Sequence, residues 1–179
     1  RVEGLFGVTA AVGSPVTGLT SAAIGTNDHY VTLDYSPGAQ VAVDNTFATP
    51  ALQNPLLLGA DIVVHSTTKY ICGNATSLGG IICGPKSLVE GIRQSGIRYL
   101  RPGMPPFNAW LSLNGLETLS LMMDRHCENA MAVATYLEKH PKVSQVNYPG
   151  LASNPYHKMI KSQMKGCSSL MSFELDGNY

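Results

Sequence analysis

Hydrophobic residues follow two different periods along the chain, and the changes of period mark the predicted elements. A short apolar run, 41–43, ends at Asp44, which is typical of a buried strand in a parallel sheet. A helical segment is predicted over 49–58, where polar positions give way to apolar ones. A second apolar run over 61–64 and a third over 80–83 predict two further strands.

The second half of the chain is dominated by helical spacing. Ser87 is predicted to cap one helix, and apolar residues then recur at helical spacing from Ala109 to Lys139. Two alternating segments and one short helix are predicted after it: 143–148, 170–175 and 157–165. Strands that alternate with helices predict an α/β fold, and the last elements predict the start of a smaller α+β lobe. Residues 1–38 give no assignable pattern.

Composition narrows the classes of partner. Hydrophobic residues make up 44% of the 179 residues, charged residues 13%, and 12 basic side chains balance 12 acidic ones. No charged face is then large enough to bind nucleic acid or an anionic membrane by electrostatics alone. So little charge also predicts that apolar surface is buried against another subunit or against further chain.

Cysteine and histidine spacing bears on metals and on compartment. The four cysteines form no CxxC pair, and the histidines have no ligand spacing, so no metal site is predicted. Reduced thiols are typical of a cytoplasmic protein, and no apolar run is long enough for a membrane span.

Reactive side chains gather where two predicted strands end. Asp44 ends the first strand, and Ser66, Thr68 and Lys69 follow the second. A lysine there can form an imine with a carbonyl cofactor, two hydroxyls can bind a phosphate, and a carboxylate can pair with a protonated pyridine nitrogen. That set is what pyridoxal phosphate (PLP) requires. The alternatives are a surface lysine, an aspartate that caps a turn, and hydroxyls that satisfy backbone groups.

A longer stretch around these residues resembles the Cys/Met-metabolism family of PLP enzymes. The segment reads VDNTFATPALQNPLLLGADIVVHSTTKY, and the resemblance extends from about Gln40 to Gly177. It implies an incomplete fold-type I (aspartate aminotransferase-like) α/β fold. Residues 1–115 would belong to the large PLP-binding domain, and residues 116–179 to a linking helix and the start of a small C-terminal domain.

The same resemblance implies roles for the site residues. Lys69 becomes the lysine that binds the cofactor and moves protons, Asp44 the partner of the pyridine nitrogen, and Ser66 and Thr68 contacts to the phosphate. The segments FNAW, DRHCENA and YPGLAS are most similar to methionine γ-lyase. Recognisable motifs for a Tyr-x-Arg phosphate arm and for a C-terminal substrate-binding arginine are missing, so a partial chain is expected.

The implied activity is a PLP-dependent α,γ-elimination that gives a thiol, ammonia and a 2-oxoacid. One alternative is γ-replacement, as in O-acetylhomoserine sulfhydrylase or cystathionine γ-synthase, and another is an inert partial chain that keeps the fold. The implied partners are a small sulfur amino acid or an O-acyl homoserine. The implied assembly is a homotetramer, built as a dimer of dimers.

Overall fold

A computed structural model describes residues 2–5, 19–24, 30–35, 40–100 and 103–177. The first three of these ranges are β-strands: β1 (Val2–Leu5), β2 (Leu19–Ile24) and β3 (Tyr30–Tyr35). They form an antiparallel sheet in the order β1-β3-β2. This sheet falls in the part of the chain for which the hydrophobic pattern predicts nothing.

The central sheet has three short strands: β4 (Ala42–Asp44), β5 (Ile62–Ser66) and β6 (Gly80–Cys83). Strands β4 and β5 run parallel, as predicted, with Asp44 beside Val64. Strand β6 pairs with β5 in the antiparallel direction. Because β4 and β5 run parallel, their carboxyl ends meet at one edge of the sheet, and the paired residues Val43 and Val63 are both buried.

The segment between β4 and β5 is two short helices rather than one. Helix α1 (Thr49–Leu52) ends at Gln53, which is extended, and a 3₁₀ turn follows over Pro55–Leu58. Pro55 has no N–H to donate and disfavours helical backbone in the residue before it, which explains the break. Gly59 ends the 3₁₀ turn with φ +98°, a conformation that glycine adopts without strain.

The remaining elements follow the predicted order closely: α2 (Lys86–Leu100), α3 (Pro106–Glu138), β7 (Val143–Asn147), α4 (His157–Gln163) and β8 (Ser172–Leu175). Strands β7 and β8 pair antiparallel. The prediction that Ser87 caps α2 is wrong, because the first amides bond to the Pro85 carbonyl and Ser87 lies inside the first turn. The predicted domain boundary at 115/116 lies inside α3, and the division into two domains stays a prediction.

One hydrophobic cluster joins the segments that follow β4 and β5. Its buried members are Ala48, Leu52, Ile71, Leu119, Met123, Ile160 and Met164. They come from α1 and its approach, from the turn after β5, from α3, and from α4 and its end. Burying a leucine, isoleucine or methionine side chain stabilises by roughly 1.5–3 kcal/mol, so this cluster fixes α3 against the ends of the strands.

Helix α3 approaches the turn after β5 closely at Gly115. A Cβ atom at this position would lie 2.0 Å from the Ile71 carbonyl oxygen and 2.8 Å from that of Cys72. Glycine is required because the obstacle is backbone, which cannot swing aside.

We expect Gly115→Ala to lower the free energy of unfolding by about 1–3 kcal/mol or more, because overpacking against backbone forces the helix away. Gly91→Ala is the control, since Gly91 lies in α2 and no atom of the described residues lies within 4 Å of its Cβ position. This control should gain up to about 1 kcal/mol from helix propensity. Urea denaturation measures both, and equal stability of the two variants would contradict the close contact.

Candidate active site

Asp44 lies half-buried at the end of β4, and a threonine hydroxyl orients its carboxylate. Oδ1 accepts hydrogen bonds from the Thr46 amide (3.0 Å) and the Thr46 hydroxyl (2.5 Å). The same hydroxyl accepts the Ser66 amide of β5 at 2.8 Å. Thr46 therefore links the carboxylate on one strand to the backbone of the next.

The loop after Asp44 is fixed by a buried asparagine. Asn45 is 2% exposed, and its side-chain amide donates to the Thr49 and Gln53 carbonyls at 3.1 and 3.0 Å. Its backbone amide donates to the Val64 carbonyl at 2.9 Å. These bonds hold α1 against the strand ends, so the loop cannot carry Asp44 away from β5.

Lys69 lies in a π-helical turn, Thr67–Ile71, that follows β5 directly. The turn closes with a bond of 2.8 Å from the Cys72 amide to the Thr67 carbonyl. At Lys69 the backbone leaves the helical region (φ −84°, ψ −120°), and the side chain is exposed. The amine is thus presented outward at the same sheet edge as Asp44.

The two predicted phosphate contacts differ in how their hydroxyls are used. The Thr68 hydroxyl accepts the Gly79 amide at 3.0 Å and donates to the Gly79 carbonyl at 3.3 Å. Together with the bond from the Thr67 amide to the same carbonyl, this joins Thr67–Ile71, the lysine turn, to the start of β6. In the described part of the chain, the half-buried Ser66 hydroxyl has no hydrogen-bond partner.

The donor set at this edge fits PLP. Three polar atoms near the ends of β4 and β5 have no hydrogen-bond or ionic partner within the described ranges: Asp44 Oδ2, Ser66 Oγ and Lys69 Nζ. A carboxylate oxygen, a hydroxyl and a primary amine match a pyridinium nitrogen, a phosphate and an aldehyde.

Tyr70, in the lysine turn, contacts three side chains that the sequence did not single out: Phe47, His126 and Ser169. The Tyr70 ring meets the rings of His126 and Phe47 edge-on, with centroid distances of 5.2 and 6.3 Å. The Tyr70 hydroxyl is 2.5 Å from that of Ser169.

The sequence carries a signal for Thr46 but none for Ser169. An Asp-x-Thr spacing is a known turn signal that could have revealed Thr46. Ser169 is 99 residues from Tyr70, so no local pattern indicates their contact.

His65 precedes Ser66 in β5, so the two side chains lie on opposite faces of the strand. His65 is 5% exposed, and Nδ1 has no hydrogen-bond partner among the residues that the structure describes. Burial lowers the pKa of His65, an effect that the Asn45 backbone and the Asp44 charge partly oppose. His65 and Thr67 line a cavity of about 440 Å³ that is otherwise mostly apolar and includes none of the predicted site residues.

Comparison with known proteins identifies the chain's relatives. The family described as Cys/Met metabolism PLP-dependent enzyme matches residues 28–179. This chain belongs to that family. It is 45% identical over 145 residues to the L-methionine gamma-lyase of Fusobacterium nucleatum subsp. polymorphum, a match that covers 80% of this chain and 37% of that protein.

Two other members of the family match equally well. The O-succinylhomoserine sulfhydrylase of Pseudomonas aeruginosa is 45% identical over 147 residues, which cover 80% of this chain and 35% of that protein. The crystal structure of cystathionine gamma synthase from Xanthomonas oryzae pv. oryzae, in complex with aminoacrylate and cysteine, superposes with a TM-score of 0.74 at 45% identity. That superposition covers 79% of this chain and 36% of the synthase, so this chain spans little more than a third of its relatives.

These matches confirm the predicted fold-type I α/β class and the predicted family, whose description includes dependence on PLP. The roles of Asp44, Ser66, Thr68 and Lys69 stay predictions. Among the residues that the structure describes, no three His, Cys, Asp or Glu side chains form a group that could hold a metal ion. The helices in those same ranges include none with the length and hydropathy needed to cross a bilayer.

We expect Thr46→Val to lower the free energy of unfolding by about 1–3 kcal/mol, because it leaves the Ser66 amide without an acceptor. Hydrogen exchange at that amide should speed up. Thr46→Ser keeps the hydroxyl and is the control: its Ser66 amide should stay protected. Equal protection in the two variants would contradict the shared hydrogen bond.

Stability should fall as pH drops below about 6.5, and His65 should cause part of that fall. The folded pKa of His65 lies below its ordinary value of 6.5, so the unfolded chain takes up the proton first. His65→Gln should therefore flatten the decline of the unfolding free energy between pH 7 and the folded pKa, as urea denaturation would measure. His140→Gln, at the end of α3, is the matched control, and an unchanged slope in His65→Gln would be evidence against this assignment.

Proposed function

We propose that this chain carries the cofactor centre of a PLP-dependent C–S lyase of sulfur amino-acid metabolism. The proposed reaction resembles that of methionine γ-lyase: α,γ-elimination to a thiol, ammonia and a 2-oxoacid. The observation that supports it best is the unpartnered set at one sheet edge, formed within the described residues by Asp44 Oδ2, Ser66 Oγ and Lys69 Nζ.

Asp44 is proposed to hold the pyridine nitrogen of the cofactor in its protonated form. Thr46 occupies Oδ1 with two hydrogen bonds, which leaves Oδ2 as the oxygen free to accept from the ring. An ion pair of this kind favours the charged form of both partners. PLP, when bound, supplies an aldehyde for the substrate amine and a ring that withdraws electrons from the substrate Cα.

Lys69 is proposed to bind the aldehyde carbon and then to move protons. Its exposed amine is able to leave that carbon when a substrate amine replaces it. The freed Nζ would take the proton from the substrate Cα and release it to the cofactor carbon that it had left. It would then accept a proton from Cβ and give that proton to the departing γ-thiolate, which leaves as the thiol. With methionine and one water molecule, the products are methanethiol, ammonia and 2-oxobutanoate.

Ser66 and Thr68 are proposed as phosphate contacts with unequal availability. The Ser66 hydroxyl can donate without breaking any bond to the described residues. Thr68 keeps the Gly79 amide as its donor, and its own proton must turn from the Gly79 carbonyl, a long contact of 3.3 Å, toward the phosphate. Ser66 is therefore the main hydroxyl contact in this proposal.

A second candidate function is γ-replacement, in which a sulfur nucleophile adds after the γ-substituent leaves. It is supported by the sulfhydrylase of Pseudomonas aeruginosa, which is as similar to this chain as the lyase is. A sulfur amino acid is the proposed substrate for elimination and an O-acyl homoserine for replacement.

The proposed assembly is a homotetramer, a dimer of dimers, located in the cytoplasm. Large apolar side chains near the start of α3 support it, because Phe107, Trp110 and Leu113 are each more than half exposed. Apolar surface of this kind commonly lies in contacts with other protein surfaces.

Borohydride reduction of the natural full-length protein with PLP, followed by peptide mapping, tests the central assignment. We expect the reduced adduct on Lys69, and we expect Lys69→Ala to lower turnover by about 10²–10⁴-fold or more, the range of proton-transfer catalysis. Lys158→Ala removes another exposed lysine, in α4, and should leave both the adduct and the turnover unchanged.

Product analysis separates the alternatives. Methionine should yield 2-oxobutanoate and methanethiol, whereas an O-acyl homoserine with sulfide should yield homocysteine if replacement dominates. Asp44→Asn should retain the adduct on Lys69 and lose turnover. An adduct on another lysine would overturn the site, and a Lys69 adduct with neither activity would favour an inert relative.

A further inference from the structure

We propose that two adjacent serines, Ser168 and Ser169, are positioning residues for the cofactor site. They lie in the segment between α4 and β8, about 100 residues after the segments they contact. One serine bonds the loop that follows Asp44, and the other bonds the residue next to Lys69. This inference rests on the proposed function, because it assigns the serines a role toward the same site.

Ser168 bonds the loop after Asp44. Its hydroxyl donates to the Phe47 carbonyl at 2.5 Å, and its own carbonyl accepts the Tyr148 hydroxyl at 2.8 Å. The residue is fully buried and has a φ of +59°, a region that non-glycine residues rarely occupy. Glycine would adopt this conformation without strain but would lack the hydroxyl. We therefore assign the Ser168 hydroxyl a role in holding the Phe47 carbonyl.

Ser169 bonds the lysine turn. Its hydroxyl is 2.5 Å from the hydroxyl of Tyr70, the residue directly after Lys69. The ring of Tyr70 also rests edge-on against His126 of α3 and Phe47. A fixed Tyr70 side chain restricts rotation of the turn, and with it the direction in which the Lys69 amine leaves the backbone.

The two bonds act together because the serine segment is itself fastened. The Lys165 amide donates to the Leu52 carbonyl at the end of α1, at 2.8 Å, and Met164 is buried in the cluster that includes Leu52 and Ile71. Ser168 and Ser169 are neighbours in the chain, so they hold Phe47 and Tyr70 at a set separation. The Asp44 loop and the Lys69 turn thereby keep a constant spacing, which the cofactor must span.

The test follows the rate at which added PLP becomes reducible by borohydride at Lys69 of the apo-protein. Ser169→Ala and Tyr70→Phe should each slow that rate by about 3- to 10-fold, the range of a single hydrogen bond. The double variant should be no slower than either single variant, because both remove the same bond. We expect kcat to fall with KM unchanged, and the visible circular dichroism of the bound cofactor to change.

Matched variants separate positioning from folding. Ser169→Thr keeps a hydroxyl and should form the Lys69 adduct as fast as the unmodified protein. Ser168→Gly removes the other hydroxyl without straining the backbone and should slow adduct formation. Ser153→Ala is the control. That exposed serine donates a hydrogen bond of 2.6 Å to Glu138, which is not part of the proposed site.

Two outcomes overturn the inference: unchanged rate and dichroism in Ser169→Ala and Tyr70→Phe, or losses that add in the double variant. If the unmodified protein forms no adduct at Lys69, the proposed function itself has failed. If it forms one while the serine variants behave like Ser153→Ala, only the positioning role is lost.

Discussion

The Thr46 hydroxyl donates to the Asp44 carboxylate and accepts the Ser66 amide, so a single oxygen atom joins the ends of two parallel strands. Strand β4 has only three residues, and its ladder alone offers few bonds to hold a carboxylate in place. Because Oδ1 is occupied, Oδ2 becomes the oxygen available to a ligand. The chemistry proposed for the ends of β4 and β5 thus depends on Thr46, which takes no direct part in it.

The lysine turn is held from the other side by backbone contacts rather than by charge. The Thr67 amide and the Thr68 hydroxyl bond to Gly79, and Gly115 lets α3 lie against the carbonyls of Ile71 and Cys72. Among the described residues Lys69 has no ionic partner. The amine is therefore placed by the path of its backbone and stays free to change its covalent partner.

The sequence was sufficient for those features that local chemistry determines. Asp44 and Lys69 could be singled out as candidates because polar residues that follow an apolar run predict the end of a parallel strand, where ligands bind. The break before Pro55 was missed because apolar spacing continued through it, although proline geometry explains it. Ser168 and Ser169 could not be found in this way, because their bonds span 121 and 99 residues. Contacts of that range are set by how the elements pack, which periodicity does not record.

Helix α3 has one further consequence. It is 33 residues long, or about 50 Å at the usual rise, and it touches the lysine turn at Gly115 and the cluster beneath β7 at Ala130 and Ala134. Because a continuous helix of this length is stiff, a single rigid element contacts both the turn that carries Lys69 and the buried residues against β7. The packing of the C-terminal half of the chain therefore bears directly on where that turn lies.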